Sequence, residues 1–188
     1  MTLEELAIPG VFALELEPVH DGRGFFARTY GRAELAACGI DFEVVEASVS
    51  FNTRRGTLRG LHLQRSPHEE AKLVRCVRGS VYDVVADLRV GSPTQLRWLA
   101  LELSAERRNA LYIPPGLAHG FYTLEDACEL EYLISAAYEP SASVGVRWDD
   151  PAVGIEWPSH PEVISERDAT FPDLNVHNVV ERGTDALG

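Results

Sequence analysis

The sequence predicts an all-β sandwich or barrel, and three observations lead there. Short segments rich in Val, Leu, Tyr and Trp recur along the chain; Gly, Pro, Ser and Asp bound them; and a single stretch has the composition of a helix. That stretch runs from Arg32 to Ala37, where Ala, Glu and Leu dominate and Gly39 offers a stop. The strand-like segments follow in order: Leu73 to Val77, Ser80 to Leu88, Arg97 to Leu103, Leu111 to Ile113, Gly120 to Thr123 and Glu129 to Ile134. Trp98, Ala100 and Glu102 alternate with Leu99, Leu101 and Leu103, as in a strand with one face on a core. In the second segment Asp83 and Asp87 alternate with Val81 and Val85, and they read as structural partners of Arg89 or Arg75.

Composition narrows the function. With 45% apolar residues, 188 positions can bury one sizeable core but are short for two, so residues 1–188 are expected to form one domain, the last dozen a frayed tail. Asp and Glu number 29 against 17 Lys and Arg, a net charge of −12, and no basic run could follow a phosphate backbone, which argues against nucleic acid. A few local arginines can still hold a small diphosphate. The N-terminus lacks the flank and apolar stretch of a signal peptide, and no run approaches a membrane span, so a cytoplasmic protein with no membrane partner is expected. Cys38, Cys76 and Cys128 are odd in number and scattered, and they read as buried small hydrophobes.

Three blocks join glycine to charged or titratable groups: Asp21-Gly-Arg23-Gly-Phe-Phe26, Leu58-Arg59-Gly-Leu-His62-Leu-Gln64 and Pro114-Pro-Gly-Leu-Ala-His119-Gly-Phe121. Taken singly, each can be a simple turn; glycine also lets backbone approach closely, leaving the Arg or His beside it where a ligand can reach. Metal-binding cupins place a His-x-His pair early and a Pro-x-Gly-x-x-His motif later. The later motif is complete here, but Gln64 stands where the second imidazole would be, and the ammonium of Lys72 would repel a divalent cation. The pattern is that of a cupin scaffold without its metal: a jelly roll, or double-stranded β-helix, with a few short helices and a cavity free for acid–base chemistry.

Arg59-Gly-Leu-His62, Lys72-Leu-Val, Asp87-Leu-Arg, Ser92-Pro-Thr, Ile113-Pro-Pro-Gly-Leu-Ala-His119-Gly-Phe, Tyr132, Tyr138, Trp148-Asp-Asp-Pro and Ser165-Glu-Arg-Asp168 resemble, in order and spacing, the dTDP-4-dehydrorhamnose 3,5-epimerase family of sugar-nucleotide epimerases. The resemblance implies that His62 removes a proton beside a 4-keto group, Asp168 orients its imidazole, Lys72 meets the enolate and Tyr132 returns a proton to the opposite face. These residue types suit those tasks: imidazole titrates near neutrality, a carboxylate fixes its tautomer, and a developing oxyanion needs a fixed positive charge. It further implies that Arg23, Arg59 and His119 hold the diphosphate and sugar, that Tyr138 and Arg167 contact substrate, and that Phe26 stacks on the base. Phe26 would do so in a neighbouring subunit's site, making a strand-exchanged homodimer. No metal or redox cofactor is implied.

Five positions depart from the family pattern. Arg28 and Ser143 stand where family members carry Glu, Glu46 and Ser48 lie where a Gln-x-Asn-x-Ser strand is usual, and Glu70 replaces a Gln before the lysine motif. These bear on the nucleotide bound rather than on the proton chemistry. Two other classes stay open from the residues themselves: a metal cupin, dioxygenase or isomerase, and a non-catalytic sugar-binding jelly roll.

Overall fold

The computed structural model describes residues 1–174, so the expected tail lies outside them. In chain order the elements are β1 (Thr2–Glu5), β2 (Phe12–Glu15), β3 (Val19–Asp21), β4 (Gly24–Phe26), α1 (Arg32–Ala37), β5 (Glu46–Asn52), β6 (Thr57–Gln64), β7 (Lys72–Arg78) and β8 (Ser80–Asp87). They continue with β9 (Trp98–Ser104), β10 (Ala110–Ile113), β11 (Leu117–Thr123), β12 (Cys128–Ile134), β13 (Ser143–Gly145), β14 (Val163–Ile164) and α2 (Glu166–Ala169). One sheet has the order β1-β2-β10-β7-β12-β5, the other β13-β6-β11-β8-β9 with β14 beside β6, and β3-β4 form a separate hairpin. From β6 onward the chain passes back and forth between two facing sheets, which is the jelly roll expected.

Strand parity builds the layers, because neighbouring residues on a strand point to opposite faces. Val74 and Cys76 of β7 and Val81 and Val85 of β8 meet Leu103, Leu111, Phe121 and Leu130 in the core between the sheets. The intervening Val84 and Ala86 instead join Leu61, Ala118 and Val146 under the 150–157 segment, and Leu73 joins Leu35, Phe42 and Tyr112 beneath α1. The central strands are covered on both faces, so they read as nearly continuous apolar runs.

The predicted helix and all six predicted strands are present, with ends shifted by up to three residues. Strands before residue 65, α2 and the short β13 and β14 do not follow from composition; the apolar pattern of β6 is interrupted by Arg59, Gly60, His62 and Gln64, of which Arg59 and His62 line the site. Of the two aspartates assigned to arginine, only Asp87 pairs with one. Its oxygens accept from Arg89 Nε at 2.9 Å, Arg89 Nη2 at 2.8 Å, Ser92 Oγ at 2.6 Å and Thr94 Oγ1 at 2.7 Å. Asp83 faces His119 instead, as described below. Cys76 and Cys128 are buried as expected, whereas Cys38, just beyond α1, is exposed.

Burial would raise the Asp87 pKa, but the Arg89 guanidinium and the two hydroxyls outweigh it and bring the group from 3.8 to about 2. A depressed folded-state pKa adds stability that is complete above the unfolded value and is lost as pH falls through the folded one. Asp87→Asn is therefore expected to lower stability at pH 7 by about 3 kcal/mol. The gap to wild type should close as pH drops from about 4 toward 2. Thermal unfolding across that range checks it, and a gap independent of pH would refute the linkage.

Candidate active site

Between the two sheets lies a cavity of about 690 Å³, lined by His62, Lys72, His119, Tyr132, Arg59 and Asp168 among others. Gly60 is what puts both Arg59 and His62 into it. Three residues apart on one strand, they would face opposite sides, but the pairing of β6 with β11 shifts register, matching His62 to His119 and Arg59 to Phe121. Gly60 has φ +119°, and a Cβ there would stand 2.5 Å from the Gly120 Cα and 2.8 Å from the His119 carbonyl oxygen. The two glycines thus permit the close approach that turns the register.

Asp168 reaches the site from α2. Ser165 caps this helix, its hydroxyl accepting from the Asp168 N–H at 3.1 Å. The Asp168 carboxylate bonds His62 Nε2 at 2.8 Å through Oδ1, and through Oδ2 it accepts the Gly60 N–H at 3.1 Å. Burial pushes the Asp168 pKa up, yet the bond to His62, its charge and the Gly60 N–H prevail and hold it below the ordinary carboxylate value. An ionised Asp168 keeps the His62 proton on Nε2, leaving Nδ1 with the lone pair. Phe171 packs edge-on to the His62 ring, centroids 6.1 Å apart, in space that Gly145 leaves by having no side chain.

The facing sheet carries the other set. Lys72, at the start of β7, donates to Glu70 Oε1 at 2.9 Å and to the His62 carbonyl at 3.5 Å. Tyr132 on β12 lies edge-on to His119, centroids 6.0 Å apart. Burial, and after it the Asp83 carboxylate, raise the Tyr132 pKa well above 10.0, with Arg59 pulling the other way. The phenol is protonated at any working pH, and so can donate a proton but not accept one there.

Asp83, set aside in the sequence as a partner for arginine, lies behind a cavity residue instead. It is fully buried, and both its oxygens bond His119 Nε2, at 2.9 and 3.0 Å. Burial raises its pKa against the pull of His119 and Lys72. The signal was an acid on the inward face of an apolar strand; distance along the chain hid its partner. Asn52 was also missed: its Oδ1 accepts Arg59 Nε at 2.7 Å and aims the guanidinium. Gln64, the position of the absent imidazole, spends its amide N–H groups on the His68 and Ala137 carbonyls and its oxygen on the Glu139 N–H, at 2.9, 3.2 and 2.6 Å. It ties two cavity-mouth loops together and does not face a ligand. Among the described residues no group of three or more His, Cys, Asp and Glu side chains is arranged to hold a metal.

Glu46, Ser48, Tyr138 and Arg167 also line the cavity. Glu46 accepts the Tyr138 N–H at 3.2 Å, and Arg167 donates to Ser143 Oγ at 3.0 Å, so Ser143 lies beside the cavity rather than in its wall. Arg23, Phe26 and Arg28 are not brought to this cavity. Arg23 pairs with Asp21 on the β3-β4 hairpin with 91% of its side chain exposed, Phe26 is 76% exposed, and Arg28 pairs with Glu34 of α1.

A jelly roll whose cavity sets a histidine–carboxylate pair against a lysine and a partly buried tyrosine has the groups of an acid–base isomerase. The description dTDP-4-dehydrorhamnose 3,5-epimerase belongs to the family profile that matches residues 5–176. An enzyme of that name from Mycolicibacterium smegmatis is 45% identical over 180 residues, 93% of this chain and 86% of its own. A crystal structure of the Bacillus anthracis dTDP-4-dehydrorhamnose 3,5-epimerase with TDP and PPi bound superposes with a TM-score of 0.88 at 35% identity, covering 92% of this chain and 99% of that one. A 3'-monoepimerase from Streptomyces bikiniensis in complex with dTDP-quinovose gives 0.79 at 39% identity, over 87% and 83%. The chain belongs to the dTDP-4-dehydrorhamnose 3,5-epimerase family, and is an isomerase.

Proposed function

We propose that the protein epimerises a dTDP-linked 4-keto-6-deoxyhexose at C3, C5 or both, in the cytoplasm, with no metal or redox cofactor. The observation that carries this is the division of the cavity: His62 on one sheet with Asp168 of α2 beside it, Lys72 and Tyr132 on the other sheet. His62 Nδ1 takes the proton beside the ketone and becomes imidazolium, stabilised by Asp168. The charge left on the ketone oxygen meets the Lys72 ammonium, and the Tyr132 O–H returns a proton from the other side, inverting the carbon. Arg59 and Arg167, with His119 held by Asp83, supply positive and donor groups for a diphosphate in an otherwise acidic chain. The test is the NMR spectrum of a dTDP-4-keto-6-deoxyglucose sample in deuterated water. Deuterium should appear at C3, C5 or both together with inverted product; no exchange at either carbon would overturn the reading.

The working unit in this reading is a strand-exchanged homodimer. Strand β5 ends its sheet, and Val49 and Phe51 along it and Val45 just before it are exposed, as are Val19, Phe25 and Phe26 of the hairpin. Apolar surface of this kind fits a self-complementary partner. Arg23 and Phe26 would then act in the partner's cavity, with Arg28 beside it. Mixing two inactive forms, His62→Ala and Arg23→Ala/Phe26→Ala, should restore activity to about a quarter of the wild-type sites, since half the dimers are mixed and each of those has one complete site. No recovery after subunit exchange would place those residues in their own chain's function.

A further inference from the structure

Glu70 and Lys72 form an ion pair inside the candidate active site, and the reaction described above assigns a task only to the lysine. Both side chains are 11% exposed, their charged atoms are 2.9 Å apart, and both line the cavity. We propose that Glu70 is a positioning residue that aims the Lys72 ammonium while holding down its strength as an oxyanion stabiliser.

An ammonium has three N–H groups. On Lys72 one is directed to Glu70 and a second to the His62 carbonyl, which leaves one for the ketone oxygen. Glu70 therefore fixes where that last donor points. It also carries a full opposing charge. Coulomb energy falls as the inverse of distance, so an oxyanion ~3 Å in front of the ammonium, with the carboxylate ~6 Å behind, loses about half the attraction the lysine would otherwise provide. The neutral ketone of the ground state feels far less of this than the enolate does. Restoring the field thus lowers the barrier with little change in substrate binding, and this shows in kcat and not in KM. The pair has a structural reason as well, since an unpaired charge in an enclosed site destabilises the fold.

This inference rests on the proposed role of Lys72, and the experiment separates the two. Rates of solvent deuterium incorporation would be measured for wild type, Glu70→Gln, Glu70→Asp and Glu70→Gln in a Lys72→Met background. Glutamine keeps an oxygen to accept from Lys72 but removes the charge, so Glu70→Gln is expected to raise kcat three- to tenfold with KM within twofold and a lowered Tm. Glu70→Asp, which keeps the charge, should show no gain, and neither should Glu70→Gln once Lys72 is gone. A wild type that exchanges protons and that matches its Glu70→Gln form within twofold, or exceeds it, overturns this inference alone. An equal gain without Lys72 overturns it too. A wild type with no exchange overturns the functional reading, and this inference with it.

Discussion

His62→Ala is expected to abolish nearly all deuterium exchange at both carbons while dTDP binds almost as before. In the proposed reaction Nδ1 of His62 takes the carbon-bound proton, and losing a general base costs about 10²–10⁴-fold or more, about 3–5 kcal/mol of barrier. The imidazole is partly exposed to the cavity, its side chain 37% accessible, so its removal leaves the core between the sheets intact. Asp168→Asn should fall on the same line less steeply. An amide can still accept from Nε2 but cannot stabilise the imidazolium, and the Gly60 N–H loses a charged acceptor. Rates of exchange in single turnover, with dTDP affinity measured in parallel, check both. Exchange by His62→Ala at the wild-type rate would mean that another group is the base.

Tyr132→Phe is expected to divide the reaction. Proton removal and exchange on the original face need only His62 and Lys72, so they should continue, whereas inversion needs a donor on the opposite sheet and should drop by about 10²-fold or more. Phenylalanine fills the same volume, so the contact with His119 and the packing against the core are preserved. Deuterated starting epimer should then accumulate ahead of inverted product, as seen by following both by NMR. Inversion at full rate would assign the acid to another group. The contrast with His62→Ala is informative because both residues lie in one cavity, and general damage to it would slow exchange and inversion alike.

Within the described residues, much of this was legible in the chain itself. Turn residues and apolar runs placed the central strands because those strands are covered on both faces, and the helix at Arg32–Ala37 followed from local composition. The motif series named His62, Lys72, Tyr132 and Asp168, since each residue type carries its own chemistry and their order survives in sequence. What only the tertiary structure decided depends on contacts between distant residues. Asp168 lies 106 residues from His62, and nothing local distinguishes it from a surface carboxylate until α2 folds against β6. Asp83, read as a partner for arginine, is buried against His119 because β8 and β11 are neighbours, a pairing no local pattern encodes. The same holds for Arg59 and His62: parity places them on opposite faces, and only the close approach of Gly60 to Gly120, made possible by two missing side chains on adjacent strands, turns both into one cavity.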